Sequence, residues 1–330
     1  MDRNFELNED FKEIISLFEK SNKNIFITGK AGTGKSSLIR YIKKNSKKEI
    51  VILAPTAIAA LNVDAKTIHS FFNLPFHVIT DHDIKKHYNK RLINRIDAIL
   101  IDEASMLRPD IIDAIDLTLQ LTKGNKRPFG GIQIVLIGDL YQLPPVITND
   151  EEDVMNKLYP DGHFFFNSNV INKIDLIKFE LKHVYRQSDE ELISLLDKAR
   201  NATLNNNDLE IFNERVVEDD FIASEEILTL STNNYKVNTI NSINLRNIDS
   251  KEYVYEAELD GQYSGSPVDK NLRLKVGAQV MLVKNGANWV NGTLATIDKL
   301  SNTEIHIKVK GKVYKLEKEK WERFEYKISN

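Results

Sequence analysis

The residues Gly29-Lys30-Ala31-Gly32-Thr33-Gly34-Lys35-Ser36 have the form G-x-x-x-x-G-K-[ST]. They stand between an apolar run, NIFITG (24–29), and a stretch with apolar residues at helical spacing, KSSLIRYIKKN (35–45). A strand that turns through glycines into a helix aims several backbone N–H groups at one point. The helix N-terminus adds a dipole that favours an anion. The pattern predicts a phosphate-binding loop lined by Gly29, Ala31, Gly32, Thr33, Gly34, Ser36 and Ser37. Lys35 would reach the β- and γ-phosphates of ATP, and the Ser36 hydroxyl would hold Mg²⁺.

Further apolar strands follow at IVILA (50–54), DAILID (97–102) and IQIVLIG (132–138). Between them TAIAALNV and RPDIIDAIDLTLQL read as helices, the second with proline in its first turn. Uniformly apolar strands alternating with helices predict an α/β fold, a parallel sheet covered on both faces. Ile99-Leu100-Ile101-Asp102-Glu103 ends one of those strands in two carboxylates. Asp102 suits the Mg²⁺ shell and Glu103 can take the proton of an attacking water. Gly138-Asp139-Leu140-Tyr141-Gln142-Leu143-Pro144-Pro145-Val146 leaves the carboxyl end of the next strand, where ligands bind in open α/β sheets. The Gln142 amide can orient water or sense a γ-phosphate there; taken alone, the same string reads equally as a turn.

The character changes after residue 187. DEELISLLDKARN and NNNDLEIFNERVV read as helices, and ILTLS (227–231) with NYKVNTINSINLRN reads as the opening strand and helix of a second α/β unit. From 251 the chain turns to short alternating strands with Gly and Asn turns, a small β region. Its Lys-rich stretch 308–320 alternates with apolar residues, as the wet face of a strand pair does.

With 330 residues the chain has room for two or three domains of roughly 100–200 residues. Its 45 Lys and Arg against 48 Asp and Glu leave a net charge of −3, so a nucleic-acid surface must be a local patch. The absence of cysteine excludes disulfide scaffolds, thiolate metal sites and cysteine nucleophiles. The charged start MDRNFELNEDFKE is no signal peptide, and no apolar run reaches the ~20 residues of a membrane span. A cytoplasmic protein with no membrane partner is expected.

In this order, the phosphate loop, Asp102-Glu103-Ala104-Ser105-Met106-Leu107-Arg108 and the Gln142 string resemble the superfamily I DNA helicases of the Pif and RecD-like group, bacterial Pif type. Ala54-Pro55-Thr56-Ala57-Ile58-Ala59-Ala60, Thr67-Ile68-His69-Ser70-Phe71-Phe72, Pro128-Phe129-Gly130-Gly131 and Val184-Tyr185-Arg186-Gln187 fit the same series. So do LTLSTNN (228–234), Leu274 to Met281 and Val290-Asn291-Gly292-Thr293. The resemblance covers essentially the whole chain. It implies a P-loop NTPase with a RecA-like domain over 1–187, then a small wedge region and the start of a second RecA-like domain over 188–250. A β-rich, SH3-like insertion would fill 251–330. It further implies 5′-to-3′ movement on single-stranded DNA driven by ATP and Mg²⁺, duplex or structured junctions as substrates, a monomer, and a place in DNA repair and recombination. Lys35, Glu103, Gln142 and Arg186 would be the catalytic set, Arg186 reaching the γ-phosphate. Thr56, Thr67, His69 and Ser70 would contact the DNA strand, and Phe71 and Phe72 could stack bases or belong to the core.

The chain also departs from that pattern. The family's later T-I-H-K-x-Q-G and V-A-x-S-R elements do not occur before Asn330, so an incomplete second domain that binds ATP and single-stranded DNA with little turnover is the alternative reading. An ATPase not coupled to DNA is a third. Phe11-Lys12 stands where an adenine-reading glutamine is expected, and Ala57, Ala65 and Ala295 stand where glycine is expected. Two basic clusters, Lys43, Lys44, Lys47 and Lys48, and Lys85, Lys86, Lys90, Arg91 and Arg95, read either as part of a DNA path or as solvated faces.

Overall fold

Asn8 caps the first helix, α1 (Glu9–Lys20), its side chain accepting from the Phe11 N–H, with Glu9 and Asp10 at the positive end of the dipole. In the computed structural model the described residues are 7–185, 189–217, 229–258, 269–284, 286–289 and 292–320, the side chains of residues 57, 58, 61 and 234 apart. They divide into two compact units, residues 1–209 and 210–330.

The first unit continues as β1 (Asn24–Gly29), α2 (Lys35–Asn45), β2 (Ile50–Ala54), α3 (Ala57–Asn62), β3 (Lys66–Thr67) and α4 (Ile68–Phe72). Then come α5 (Lys90–Arg95), β4 (Ala98–Ile101), α6 (Pro109–Lys123), β5 (Gln133–Gly138), α7 (Asn149–Leu158), β6 (Leu176–Leu181) and α8 (Glu190–Arg200). A ninth helix, α9 (Asn206–Asn213), lies where the two units meet in sequence. The strands pair in the order β3-β2-β4-β5-β1-β6, every pair parallel. One apolar cluster joins Phe11, Ile14, Leu38 and Ile39 to one face of the sheet, and another joins Ile68, Ile112, Ile115 and Phe129 to the other. β4 and β5 are therefore buried along their whole length, which is why they read as unbroken apolar runs. β6, LIKFEL, carries Lys178 and Glu180 and pairs only with β1. As an edge strand it alternates, so a search for uniformly apolar runs passes over it.

Local chemistry sets the ends of these elements. Proline opens α6 after Arg108, and Gly124, at φ 70°, closes it in the left-handed conformation. Alanine at the three positions where glycine was expected carries no left-handed strain: the positive φ of that turn falls on Asp64, at 50°, not on Ala65, and Ala57 and Ala295 lie in a helix and a strand.

The second unit holds α10 (Asn234–Asn247), the antiparallel pair β7 (Glu252–Glu256) and β8 (Asn271–Lys275), and a four-stranded antiparallel sheet. That sheet is ordered β12 (Lys312–Leu316), β11 (Ile305–Val309), β10 (Leu294–Leu300) and β9 (Gln279–Met281). Leu274, Ala278, Ile297, Ile307 and Val309 form its core. Lys308, Lys310, Lys312 and Lys315 face solvent, the expected wet side of a strand pair. The expected strand over 227–231 is not found in its described part, 229–231; residues 227 and 228 lie outside the described residues.

Candidate functional site

The sheet order makes the carboxyl ends of β4, β5 and β1 neighbours. Asp102-Glu103 follows β4, Asp139 to Gln142 follows β5, and the phosphate loop follows β1. Gly32 at φ 81° and Gly34 at φ 89° give the loop its left-handed steps, and a Cβ on Gly34 would come 3.0 Å from the Phe11 ring. The buried Thr33 hydroxyl donates to the Lys30 carbonyl at 2.9 Å, so its side chain shapes the loop from within. Ser36 and Ser37 stand in the first turn of α2, with Lys35 as its first residue. Ala31 is exposed on the loop.

The Lys35 ammonium donates to the carbonyls of Gly29 at 2.6 Å and Lys30 at 3.0 Å. Burial pushes it below the usual lysine range, against the pull of Asp139, Glu103 and Asp102. All three carboxylates thus act on one half-buried amine, a perturbed titratable cluster of the kind found at functional sites. Asp102 is 4% exposed, and its Oδ1 accepts from the Glu103 N–H at 3.0 Å. Burial foremost, with the Glu103 charge adding, pushes its carboxyl up to about 6. Glu103 itself sits at φ 52°, a left-handed residue that turns the chain off the strand axis. The Asp102 carboxylate and the Ser36 hydroxyl are oxygen donors that suit a hard divalent cation, and a cation would offset the cost of ionising a buried carboxyl.

Gly138 holds the Asp102-Glu103 turn against β5: a Cβ there would lie 2.9 Å from the Ala104 nitrogen and 3.0 Å from the Ser105 nitrogen. Both are backbone atoms and neither can step aside. Gly138→Ala is therefore expected to lower stability by about 1–3 kcal/mol, as over-packing does. Urea unfolding checks it; a midpoint equal to that of the parent would show that the turn has room to move.

Gln142 is exposed, and its amide donates to Asp139 Oδ2 at 3.1 Å. Asp139 is 1% exposed and forms an ion pair with Arg200 of α8, whose guanidinium lies 4.3 Å over the Tyr141 ring. One turn earlier Asp197 pairs with Lys30 of the phosphate loop. Sequence reading missed Asp197 and Arg200. Their i,i+3 spacing, which puts both on one helix face, was the available signal. Arg186 lies outside the described residues. Its neighbour Tyr185 donates its N–H to the Gly32 carbonyl at 2.8 Å, stacks on Phe11 at 6.2 Å, and accepts from the Asn8 amide at 2.9 Å. Phe11, in the position expected for glutamine, is fully buried.

The candidate DNA contacts lie at or just past the carboxyl ends of β2 and β3. The Thr56 hydroxyl accepts from the Ala59 N–H at 3.2 Å and the Thr67 hydroxyl from the Ser70 N–H at 3.3 Å, so both serve as helix caps and retain a donor. Ser70 is exposed. Burial foremost, and the Arg108 charge next, lower His69 to about 4. Phe72 corrects the sequence reading: it is 5% exposed and Phe71 3%, the two rings packed edge to face at 4.9 Å within the core, so neither offers a face to a base. An exposed ring nearby is Phe76, stacked on His69. In the first basic cluster, Lys43 pairs with Asp64, and Lys48 donates to the Ser21 carbonyl and the Gln133 side chain at 2.7 Å each. In the second, Arg95 pairs with Glu49 at 3.2 Å. Among the described residues no cluster of three or more His, Asp or Glu side chains could hold a metal ion, and no helix is long and apolar enough to cross a membrane.

Residues 4–213 match the PIF1-like helicase family, and residues 264–300 match the DNA helicase Pif1 2B domain. The ATP-dependent DNA helicase Pif1 of Bdellovibrio bacteriovorus is 30% identical over 307 residues, covering 88% of this chain and 66% of that protein. The ATP-dependent DNA helicase PIF1 of Emericella nidulans is 30% identical over 314 residues, covering 87% of this chain and 40% of that protein. The chain thus spans between about two fifths and two thirds of the length of these two relatives. A crystal structure of Bacteroides Pif1 bound to single-stranded DNA matches at TM-score 0.86 and 32% identity, over 99% of this chain and 77% of that one.

Proposed function

The chain belongs to the PIF1-like helicase family, and on that premise we propose that it hydrolyses ATP with Mg²⁺ and uses the cycle to move 5′-to-3′ along single-stranded DNA. The observation that carries the reading is the grouping of Lys35 with the carboxylates of Asp102, Glu103 and Asp139, which all act on its amine. In this reading the loop amides bind the phosphates, and Lys35 leaves the Gly29 and Lys30 carbonyls to meet β- and γ-oxygens. Ser36 and Asp102 would hold Mg²⁺, which would neutralise phosphate charge when bound. Glu103 takes the proton of the attacking water, and Gln142, tethered to Asp139, orients that water. Arg186 contributes charge to the γ-phosphate as part of the same proposal. Thr56, Thr67, His69 and Ser70 hydrogen-bond the DNA backbone without reading base identity.

The same reading makes 188–250 a wedge region with the start of a second RecA-like domain, and 251–330 its SH3-like insertion, in line with the 2B-domain match over 264–300. It also proposes a cytoplasmic monomer acting on duplex or structured junctions. Steady-state ATP hydrolysis with and without single-stranded DNA tests the core of it. Strong stimulation by DNA supports the translocase. Binding of both ligands without stimulated turnover supports a binding module instead, and turnover indifferent to DNA supports an uncoupled ATPase.

His69 gives a pH-dependent consequence. Its folded pKa of about 4 lies below the ordinary histidine value, so the folded chain binds fewer protons than the unfolded chain between those limits. Its contribution to stability is present at neutral pH and is lost as pH falls from about 6.5 toward 4. In the folded chain the ring is neutral well above pH 4, and any DNA contact it makes there is an uncharged hydrogen bond. The affinity ratio between the parent and His69→Gln should therefore hold constant from about pH 5.5 to 7.5. A ratio that grows as pH falls would mean that the ring binds DNA as a cation.

A further inference from the structure

Phe76 is 83% exposed, more than any other large apolar side chain described in the first unit. It is nevertheless held in place. Its ring stacks on His69 with centroids 4.8 Å apart and planes 15° from parallel. The chain is pinned on both sides of it. The Leu74 N–H donates to the His69 carbonyl at 3.0 Å, and the His77 carbonyl accepts from the Arg108 guanidinium at 2.9 Å. Asn73, at φ 54°, supplies the turn that closes α4 and sends the chain back over His69.

An aromatic ring backed on one face by a neutral imidazole, and open on the other, is a prepared stacking platform. We propose that Phe76 binds a nucleobase of single-stranded DNA by stacking, with His69 as the ring that fixes its orientation. This rests on the reading of the chain as a DNA-binding ATPase given above, and it adds the part of the ligand that Phe76 takes. Two features favour a base over a protein side. The flanking apolar residues Leu74 and Val78 are buried, Pro75 is half-buried and Asn73 is exposed and polar, so Phe76 is a single exposed ring and not part of an exposed apolar run. The ring also stacks on a residue of the same segment whose Thr67 and Ser70 hydroxyls are candidate phosphate contacts. One strand could then be held by its backbone and its base at adjacent points. Every base has a π-face, so the contact would carry no sequence preference.

The test uses the full chain, a fluorescein-labelled oligothymidylate and an abasic oligonucleotide of equal length, with affinity read by fluorescence anisotropy across a salt series. Phe76→Ala is expected to bind oligothymidylate roughly 5- to 100-fold more weakly, with Phe76→Trp restoring the affinity. The slope of affinity against salt should stay unchanged, because no phosphate contact is lost. The abasic strand should bind the parent weakly and should bind Phe76→Ala no worse than it binds the parent. Circular dichroism checks that the variant keeps its fold, which an exposed side chain permits. Equal binding of oligothymidylate by Phe76→Ala and the parent overturns the proposal. So does a loss that is as large on the abasic strand, or one that comes with a shallower salt slope. A parent chain that binds neither oligonucleotide overturns the broader DNA-binding reading, which is a separate result.

Discussion

ATP turnover is expected to fall by about 10²–10⁴-fold in Glu103→Gln while ATP binding persists; in Lys35→Ala both fall. The two side chains act on the same phosphates in different ways. Glu103 is proposed to accept a proton, a role that glutamine cannot take, and the substitution keeps the size and shape of the side chain. Its left-handed backbone, at φ 52°, is as accessible to glutamine as to glutamate, so the turn survives. The Lys35 ammonium is drawn on by Asp102, Glu103 and Asp139 together. Removing it leaves three carboxylates facing phosphate with no lysine between them, which costs ground-state binding as well as turnover. Direct measurement of nucleotide binding separates the variants, with nucleotide retained by Glu103→Gln and lost by Lys35→Ala. Lys35→Ala that still turned over ATP would remove the phosphate loop from the mechanism.

The parts of this site that could be read from sequence are those whose chemistry is local. A phosphate loop is one continuous stretch, and β4 and β5 are buried on both faces, so the glycines, Lys35 and Asp102 declare themselves in short strings. Parts that depend on a distant partner could not be read this way. Buried Asp139 is met by Arg200 from 61 residues away, and the i,i+3 spacing that puts Asp197 and Arg200 on one helix face does not say which residues they meet. Aromatic residues were the hardest. Phe71, Phe72 and Phe76 are three similar side chains within six residues, and helical geometry alone decides which go inward. The helix α4 turns Phe71 and Phe72 onto the core, while the left-handed Asn73 breaks the helix and leaves Phe76 on the far side of the turn. The sequence reading allowed stacking for the first two from their place in the motif that carries the family resemblance. The helix end, set by one residue's φ, leaves the third exposed, the ring proposed above to take that role.

Arg108→Ala is expected to destabilise the chain by about 3–5 kcal/mol, as the loss of one partner from a buried ion pair does. Arg108 and Asp110 have side chains 8% and 0% exposed. The guanidinium bonds Asp110 through two nitrogens, Nε at 3.0 Å and Nη2 at 2.7 Å. Its Nη1 donates to Glu151 of α7 at 3.0 Å and Nη2 to the His77 carbonyl at 2.9 Å. Asp110 in turn accepts from the Ile79 N–H at 2.9 Å. Alanine at 108 would strand the Asp110 charge in the interior and release α7 and the 77–79 segment together. Lysine keeps the charge but not the planar fork, so Arg108→Lys should fall between the two. Removing both charges, in Arg108→Ala with Asp110→Asn, should recover part of the loss, because no buried ion is then left unpaired. Urea unfolding of the four proteins gives the comparison; a double variant no better than Arg108→Ala would mean that the lost contacts to His77 and Glu151 dominate. The same network holds one end of the segment that carries Phe76, so Arg108→Lys, which stays folded, should also weaken oligothymidylate binding. That loss should be largely absent when Phe76 is already alanine. If the two substitutions instead weaken binding independently, Arg108 acts on DNA by its charge and not by holding the aromatic ring in place.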